Sequence, residues 1–340
     1  MKTGTFITTV TVIVIGISFF GCGGPKKAAM VPKVGVSLPT QREERWVRDK
    51  TKMDEVCKEI GLELELRTAE NDAAQQEKQC DSLIALGIKV LIVAPHDCKA
   101  AAAIVSKAHA AGIKVIAYDR MILDSDVDLY VSFDNEKVGE LQGEYITRLT
   151  PRGAYILLAG SPDDNNATLF RKGAMKYIQP LIDKKDITIV ADQWIKDWNP
   201  GEAEKVMSAA LVASKNKVAA VLAPNDGIAG ACIAALSAQG LGAKVTVTGQ
   251  DAELSAVKRI IKGTQSMTVY KNTRKLGAVA VQAALALSLS QPVAMINGKV
   301  NNGKIDVPAI LCEPVAVDKA NLDSVLIESG YLLKEDVYRP

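Results

Sequence analysis

Aromatic side chains make up only 5% of this 340-residue chain, and histidine occurs twice, at His96 and His109, in unrelated contexts. Without an H-x-x-x-H or a C-x-x-C, zinc hydrolysis lacks its ligands. Serine acyl transfer lacks its G-x-S-x-G elbow, and nucleotide chemistry lacks both the Walker lysine loop and G-x-G-x-x-G. A strong field is absent too, because 41 lysines and arginines face 39 acids and no basic stripe breaks the mixture; nothing here draws nucleic acid. Asp124, Asp126 and Asp128 alternate, but the glycine turn and closing bidentate acid of a calcium loop are missing, so they read as a solvated acidic loop. No metal and no cofactor is expected. Besides Cys22 the chain has Cys57, Cys80, Cys98, Cys232 and Cys312. This odd set at irregular spacing is no disulfide framework and reads as buried thiols, with one opportunistic disulfide as the alternative.

The first 22 residues differ from the rest. Lys2 is followed by an apolar stretch over residues 6–20, short for a membrane span, and then by Gly21-Cys22, the pattern of an export signal. A small residue directly before a cysteine resembles the lipobox of bacterial lipoproteins, although Phe19 stands where leucine is usual. That resemblance implies a lipoprotein signal over 1–22, an acylated Cys22 as the first mature residue, a tether over 23–31 and firm attachment to a membrane surface. The product is then an exported protein of the periplasm or the outer face of the cytoplasmic membrane. A plain cleaved signal is the alternative.

What is present beyond residue 31 is rhythm. Apolar, β-branched runs over 33–38, 62–66, 90–94, 115–118, 154–159, 187–191, 218–223, 245–248 and 267–270 alternate with helical periodicity such as 75–86, 100–111 and 203–214. This alternation predicts right-handed βαβ units and an α/β fold with parallel sheets. Gly61, Gly87, Gly112, Gly240 and Gly263 fall where helices should stop. The strand count and a pause near 137–150 favour two doubly wound lobes of similar size, with the cleft between them as the site. Asn301-Asn302-Gly303 reads as a turn.

Polar clusters close several apolar runs: Asp119-Arg120, Asn225-Asp226, Gln250-Asp251 and Tyr270-Lys271. Residues past the carboxyl ends of parallel strands gather in one crevice, so these clusters should meet. Sugars offer C–H patches that stack on aromatic faces and vicinal hydroxyls that bond carboxylate, amide and guanidinium groups, and Trp46 and Trp198 are placed to join such a site. Blander readings stand beside these. Trp46 could pack a surface helix on the core, Asp119 and Arg120 could form a cap or a salt bridge, and Lys271 could be merely solvated. In Asp163-Asp164-Asn165-Asn166 the aspartates read as turn and N-cap residues but the asparagines do not, and Asn225 could be a cap. Trp194 has the better claim to structural packing.

The stretch Ala117-Tyr118-Asp119-Arg120-Met121-Ile122, followed by Ser132-Phe133-Asp134-Asn135-Glu136-Lys137-Val138-Gly139-Glu140-Leu141-Gln142, resembles the D-xylose-binding periplasmic proteins, type I periplasmic binding proteins. So do Gly160-Ser161-Pro162, Asp192-Gln193-Trp194, Gly249-Gln250-Asp251-Ala252 and Met267-Thr268-Val269-Tyr270-Lys271. The resemblance implies two Rossmann-like lobes, 32–138 with 271–314 and 139–270 with 315–340, joined by segments crossing near 136–140, 270–272 and 311–317. It also implies a non-enzymatic, monomeric receptor that delivers a monosaccharide, D-xylose, to the permease and ATPase of an ABC importer. Trp46 and Trp198 are then expected to sandwich the ring. Arg45, Asp119, Arg120, Asn166, Asn225, Asp251 and Lys271 are expected to bond its hydroxyls, with Asp164 and Arg171 as companions. Glucose, arabinose or ribose as ligand, and a sugar sensor for chemotaxis or signalling on the same lobes, are the alternatives. Asp197 departs from the family in preceding Trp198 where glycine is frequent.

Overall fold

The computed structural model describes residues 32–339; the expected signal, tether and acylated Cys22 lie outside them. The strands are β1 (Lys33–Leu38), β2 (Glu63–Thr68), β3 (Val90–Val93), β4 (Lys114–Tyr118), β5 (Leu129–Phe133), β6 (Gly153–Ala159), β7 (Ile187–Trp194), β8 (Ala220–Leu222), β9 (Thr246–Val247), β10 (Thr268–Tyr270), β11 (Gly298–Asn301), β12 (Asp306–Cys312) and β13 (Val315–Val317). One sheet runs β11-β12-β5-β4-β3-β1-β2 and a second runs β7-β6-β8-β9, while β10 and β13 form a separate ribbon. Every pairing in the second sheet is parallel, and in the first only the edge hairpin β11–β12 is antiparallel. The expected parallel α/β architecture is therefore the one found.

Continuous apolar runs make these strands because both faces of a parallel sheet are covered by helices. Val90 and Ile92 of β3 enter a core shared with Val36, Met53 and Leu276. Leu91 and Val93 point the other way, to Leu83, Ile104 and Val115. The second sheet divides likewise, with Ile156 and Leu158 on one face and Tyr155 and Leu157 on the other. Helix Glu44–Ile60 ends at Gly61 and helix Leu254–Lys262 at Gly263, both left-handed, as the punctuation predicts. Each anticipated run becomes a strand, whereas β5, β11, β12 and β13 were not foreseen. The five described cysteines are free and buried. No helix among the described residues is long and apolar enough to cross a membrane.

The pause expected near 137–150 is instead helix Asn135–Leu149. It leaves the end of β5 and lies against helix Asn165–Asp183 at very short range. A methyl group on Gly139 would sit 1.9 Å from the Phe170 carbonyl, one on Gly143 2.5 Å from that of Ala174, and one on Gly173 2.0 Å from that of Glu136. These three glycines let the backbones touch. The contact sets the height at which helix Asn165–Asp183 presents its first turns, and those turns belong to the site.

Candidate functional site

The first sheet contributes an ion network built around a strained turn. Asp119, directly after β4, has φ 59, a left-handed conformation that costs a non-glycine residue roughly 1 kcal/mol. That conformation turns its carbonyl toward three donors, the Tyr130 hydroxyl at 2.9 Å, the Ser132 hydroxyl at 2.6 Å and Asn166 Nδ2 at 3.1 Å. Its carboxylate accepts from Arg45 Nη1 at 2.7 Å. Arg45 and Asp49 stand four apart on helix Glu44–Ile60, so they share a face and pair at 3.0 Å; Tyr118 completes the chain by donating to Asp49 at 2.5 Å. Burial works against charge on Asp119, but Arg45, Lys271 and Arg120 outweigh it and hold the carboxyl below its ordinary range. Asp49, more penalised by burial than Arg45 can offset, is pushed up to about 6.

Trp46 and Arg120 join the two sides. The Arg45 guanidinium lies 4.2 Å from the Trp46 ring centroid and that of Arg120 5.4 Å, within cation–π reach. Arg120 Nε pairs with Asp164 at 2.8 Å. Asp164 is also the N-cap of helix Asn165–Asp183, accepting from Asn166 N–H at 2.9 Å, and it accepts from Trp198 Nε1 at 3.2 Å. Asp164 is therefore the N-cap that its position suggested, and the same carboxylate lies on the cavity wall. Burial raises its carboxyl despite Arg120.

Trp198 is seated by its neighbours. Its ring meets Phe170 edge-on at 6.3 Å and fills the space that a side chain at residue 160 would need, since a Cβ on Gly160 would lie 2.1 Å from Cη2. Asp197, where glycine is frequent in the resembling family, does adopt the glycine-like conformation, φ 54 and ψ 20. Asn225 caps helix Asp226–Ala238 through Ile228 N–H at 3.0 Å and faces the same space. Lys271 Nζ stands 3.1 Å from Asp251 Oδ1, though without the alignment of a hydrogen bond, and 5.7 Å from the Phe170 ring.

These side chains line one narrow cavity of about 30 Å³. Arg45, Trp46, Asp119, Arg120, Asp164, Asn166, Trp198, Asn225, Asp251 and Lys271 all reach it. Arg171 does not: it forms a two-armed pair with Asp192 at 2.5 and 2.8 Å on the surface, because one residue past Phe170 is a 100° turn away from the cavity face. Trp194 is also corrected. It is 40% exposed at the end of the edge strand β7, which is paired on one side only, with β6. Glu43, Phe170 and Gln250 line the cavity outside the predicted ligand set. Phe170 was within reach, four residues after Asn166 and hence on its helix face. Glu43, amid charged neighbours, gives no such signal.

Each charged group of the cavity wall has an oppositely charged partner. Arg45 pairs with Asp119 and Asp49, Arg120 with Asp164, Lys271 with Asp251 and Glu43 with Arg42. A site built this way offers directional donors and acceptors whose charges are paired within the wall, so it suits a neutral polyhydroxy compound with faces for Trp46, Phe170 and Trp198. Among the described residues no cluster of histidine, cysteine, aspartate or glutamate could hold a metal ion.

Residues 34–291 match the family model "Periplasmic binding protein domain". The chain is 45% identical to the D-xylose-binding periplasmic protein of Haemophilus influenzae over 90% of this chain and 92% of that protein. It is 43% identical to the protein of the same name from Escherichia coli, over 88% and 90%. Among solved structures, a carbohydrate transporter solute binding protein from Chloroflexus aurantiacus in complex with D-glucose superposes with a TM-score of 0.85 at 38% identity, over 90% of this chain and 98% of that one.

Proposed function

The chain belongs to the periplasmic binding protein family, and from that premise we propose that it is the exported sugar receptor of an ABC-type importer, with D-xylose as ligand. The observation that carries the reading is the cavity of paired charges with aromatic walls, fed by strand ends of both sheets. A pentopyranose supplies what this wall lacks: apolar C–H faces for Trp46 and Trp198, and hydroxyls that both donate and accept among Asp119, Arg120, Asn166, Asn225, Asp251 and Lys271. The likeness to D-xylose-binding relatives supports the pentose. The D-glucose complex of the Chloroflexus aurantiacus protein makes D-glucose the second ligand to test.

The two lobes of this reading, 32–138 with 271–314 and 139–270 with 315–340, close on the sugar as a hinge. Ligand contacts from both lobes exist together only in the closed form, so sugar shifts the population toward it, and the permease and ATPase of the importer read that shape. The protein binds and releases without chemistry. It acts as a monomer, tethered through an acylated Cys22. Calorimetric titration with D-xylose, D-glucose, D-ribose and L-arabinose tests the ligand. Tight binding of D-xylose is the expected result, and no heat with D-xylose beside tight binding of a hexose overturns the assignment. Replacing Cys22 with serine should release the protein from membranes; persistent attachment would contradict the anchor.

A further inference from the structure

We propose that Glu43 is a further ligand-binding residue, whose free carboxylate oxygen accepts a hydrogen bond from one sugar hydroxyl; this rests on the sugar reading of the cavity. Glu43 lines the cavity, and its side chain is only 10% exposed. It occupies the N-cap position of helix Glu44–Ile60 yet makes no side-chain capping bond, in a position where Ser, Thr, Asp and Asn are the residues that stabilise helices. The carboxylate therefore does nothing for the helix start. One oxygen, Oε1, is held by Arg42 through Nε at 2.9 Å and Nη2 at 2.5 Å. The other, Oε2, is buried and has no partner.

A buried carboxylate oxygen left bare is costly, because it has given up water and received nothing. Arg42 also fixes where that carboxylate sits, since its Nη2 reaches the backbone carbonyls of Asp197 at 2.6 Å and of Trp198 at 3.3 Å. An acceptor with no donor of its own, positioned next to the aromatic wall, selects a ligand that brings a hydroxyl there. Gln250 Oε1 and Asp251 Oδ1 are bare acceptors on the same cavity too. The Gln250 amide can be turned end for end, and Asp251 Oδ1 has the Lys271 ammonium at 3.1 Å, whereas both ends of Glu43 are oxygens and its Oε2 has no partner, so the assignment stands on Glu43.

The test is a cycle of protein and ligand changes, read by calorimetry on the full mature chain. Glu43→Met should weaken D-xylose binding by about tenfold or more, the loss expected for a hydrogen bond to a charged group. The same substitution should change affinity less than about twofold for the one monodeoxy-xylose that lacks the hydroxyl Glu43 holds, because the coupling vanishes with either partner. Unaltered D-xylose affinity in Glu43→Met overturns the proposal. So does an equal loss for every deoxy analogue, which is the signature of Glu43 acting only through Arg42. Should Glu43→Met melt early without sugar, Glu43→Gln runs through the same cycle. If wild type takes D-glucose and not D-xylose, the xylose assignment alone fails and the cycle is read on deoxyglucoses. Binding of no sugar overturns both.

Discussion

Asp119 and Asp226 are the same residue type, each near the carboxyl end of a parallel strand, and each is almost wholly buried. Their carboxyls nevertheless move in opposite directions. Around Asp119, burial is outweighed by Arg45, Lys271 and Arg120, and the group is held below its ordinary range. Asp226 is pushed up to about 7, first by burial and then by the charge of Asp251. Its partners are chiefly neutral donors: Gln265 at 2.8 Å, Thr268 at 2.9 Å and the Glu253 N–H at 3.0 Å. The first side of the cavity thus carries firmly ionised groups that face the ligand space. On the second, the acid is a prop behind the wall, tying the turn that displays Asp251 to the start of helix Asp226–Ala238.

The sharpest way to break this contrast is to remove the cation. Arg45→Met leaves Asp49 and Asp119 buried without their shared counter-charge, and should cost about 3–5 kcal/mol of stability in urea unfolding. A loss below about 1 kcal/mol would show that the network is not held by Arg45. On the second side the equivalent weak point is steric. Gly160→Ala must displace the Trp198 ring, and should cost about 1–3 kcal/mol through overpacking, with a change in tryptophan fluorescence and weaker sugar binding. Wild-type behaviour would mean that the ring has another seat. Trp198→Ala, which removes the stacking surface outright, should weaken sugar binding by about 1–3 kcal/mol; unchanged affinity would make Trp198 purely structural.

Titration separates the two acids by sign. A carboxyl raised in the folded state contributes stability that is complete below its unfolded value and is lost as pH rises through the folded one. For Asp226 that window runs from 3.8 to about 7, and Glu253, pushed by burial and then by Asp226 to about 8, extends it upward. Asp119 works in reverse, adding stability above its ordinary range and losing it as pH falls through its depressed value. Stability measured from pH 4 to 8 should therefore decline less steeply in Asp226→Asn than in wild type; identical slopes would contradict the raised carboxyl. The smallest effect belongs outside the cavity. Arg171→Ala breaks a pair with partly exposed partners and should cost under about 1 kcal/mol, with sugar affinity unchanged. A tenfold weaker binding would return Arg171 to the site.

The same contrast explains what the sequence made legible. Asp119-Arg120, Asn225, Gln250-Asp251 and Lys271 could be grouped without coordinates because each ends an apolar run, and parallel strands bring such ends together. Trp46 and Trp198 drew attention because aromatics are scarce. Helix-borne residues were harder. Phe170 and Arg171 are adjacent in sequence, yet one faces the cavity and the other the solvent, a difference that only the phase of helix Asn165–Asp183 decides. Packing conceals its causes as well. Gly160 makes room for Trp198, and Gly139, Gly143 and Gly173 set the helix contact, but in sequence they resemble any other glycine. β5 was missed because its five residues follow the acidic loop so closely, β11 and β13 because strands of four and three residues near a turn leave little periodic signal, and β12, seven residues long, because Pro308 interrupts its apolar run. Glu43 was invisible for a different reason: its importance lies in a hydrogen bond it fails to make.

The account turns on both sides of the cavity meeting one neutral sugar, and a crystal structure grown with saturating D-xylose tests this most directly. The account predicts a pyranose ring between Trp46 and Trp198, with hydroxyls bonded to Asp119 and Asn166 on one hand and to Asn225 and Asp251 on the other. D-xylose bound elsewhere, or a cavity holding only water at saturating sugar, would contradict it.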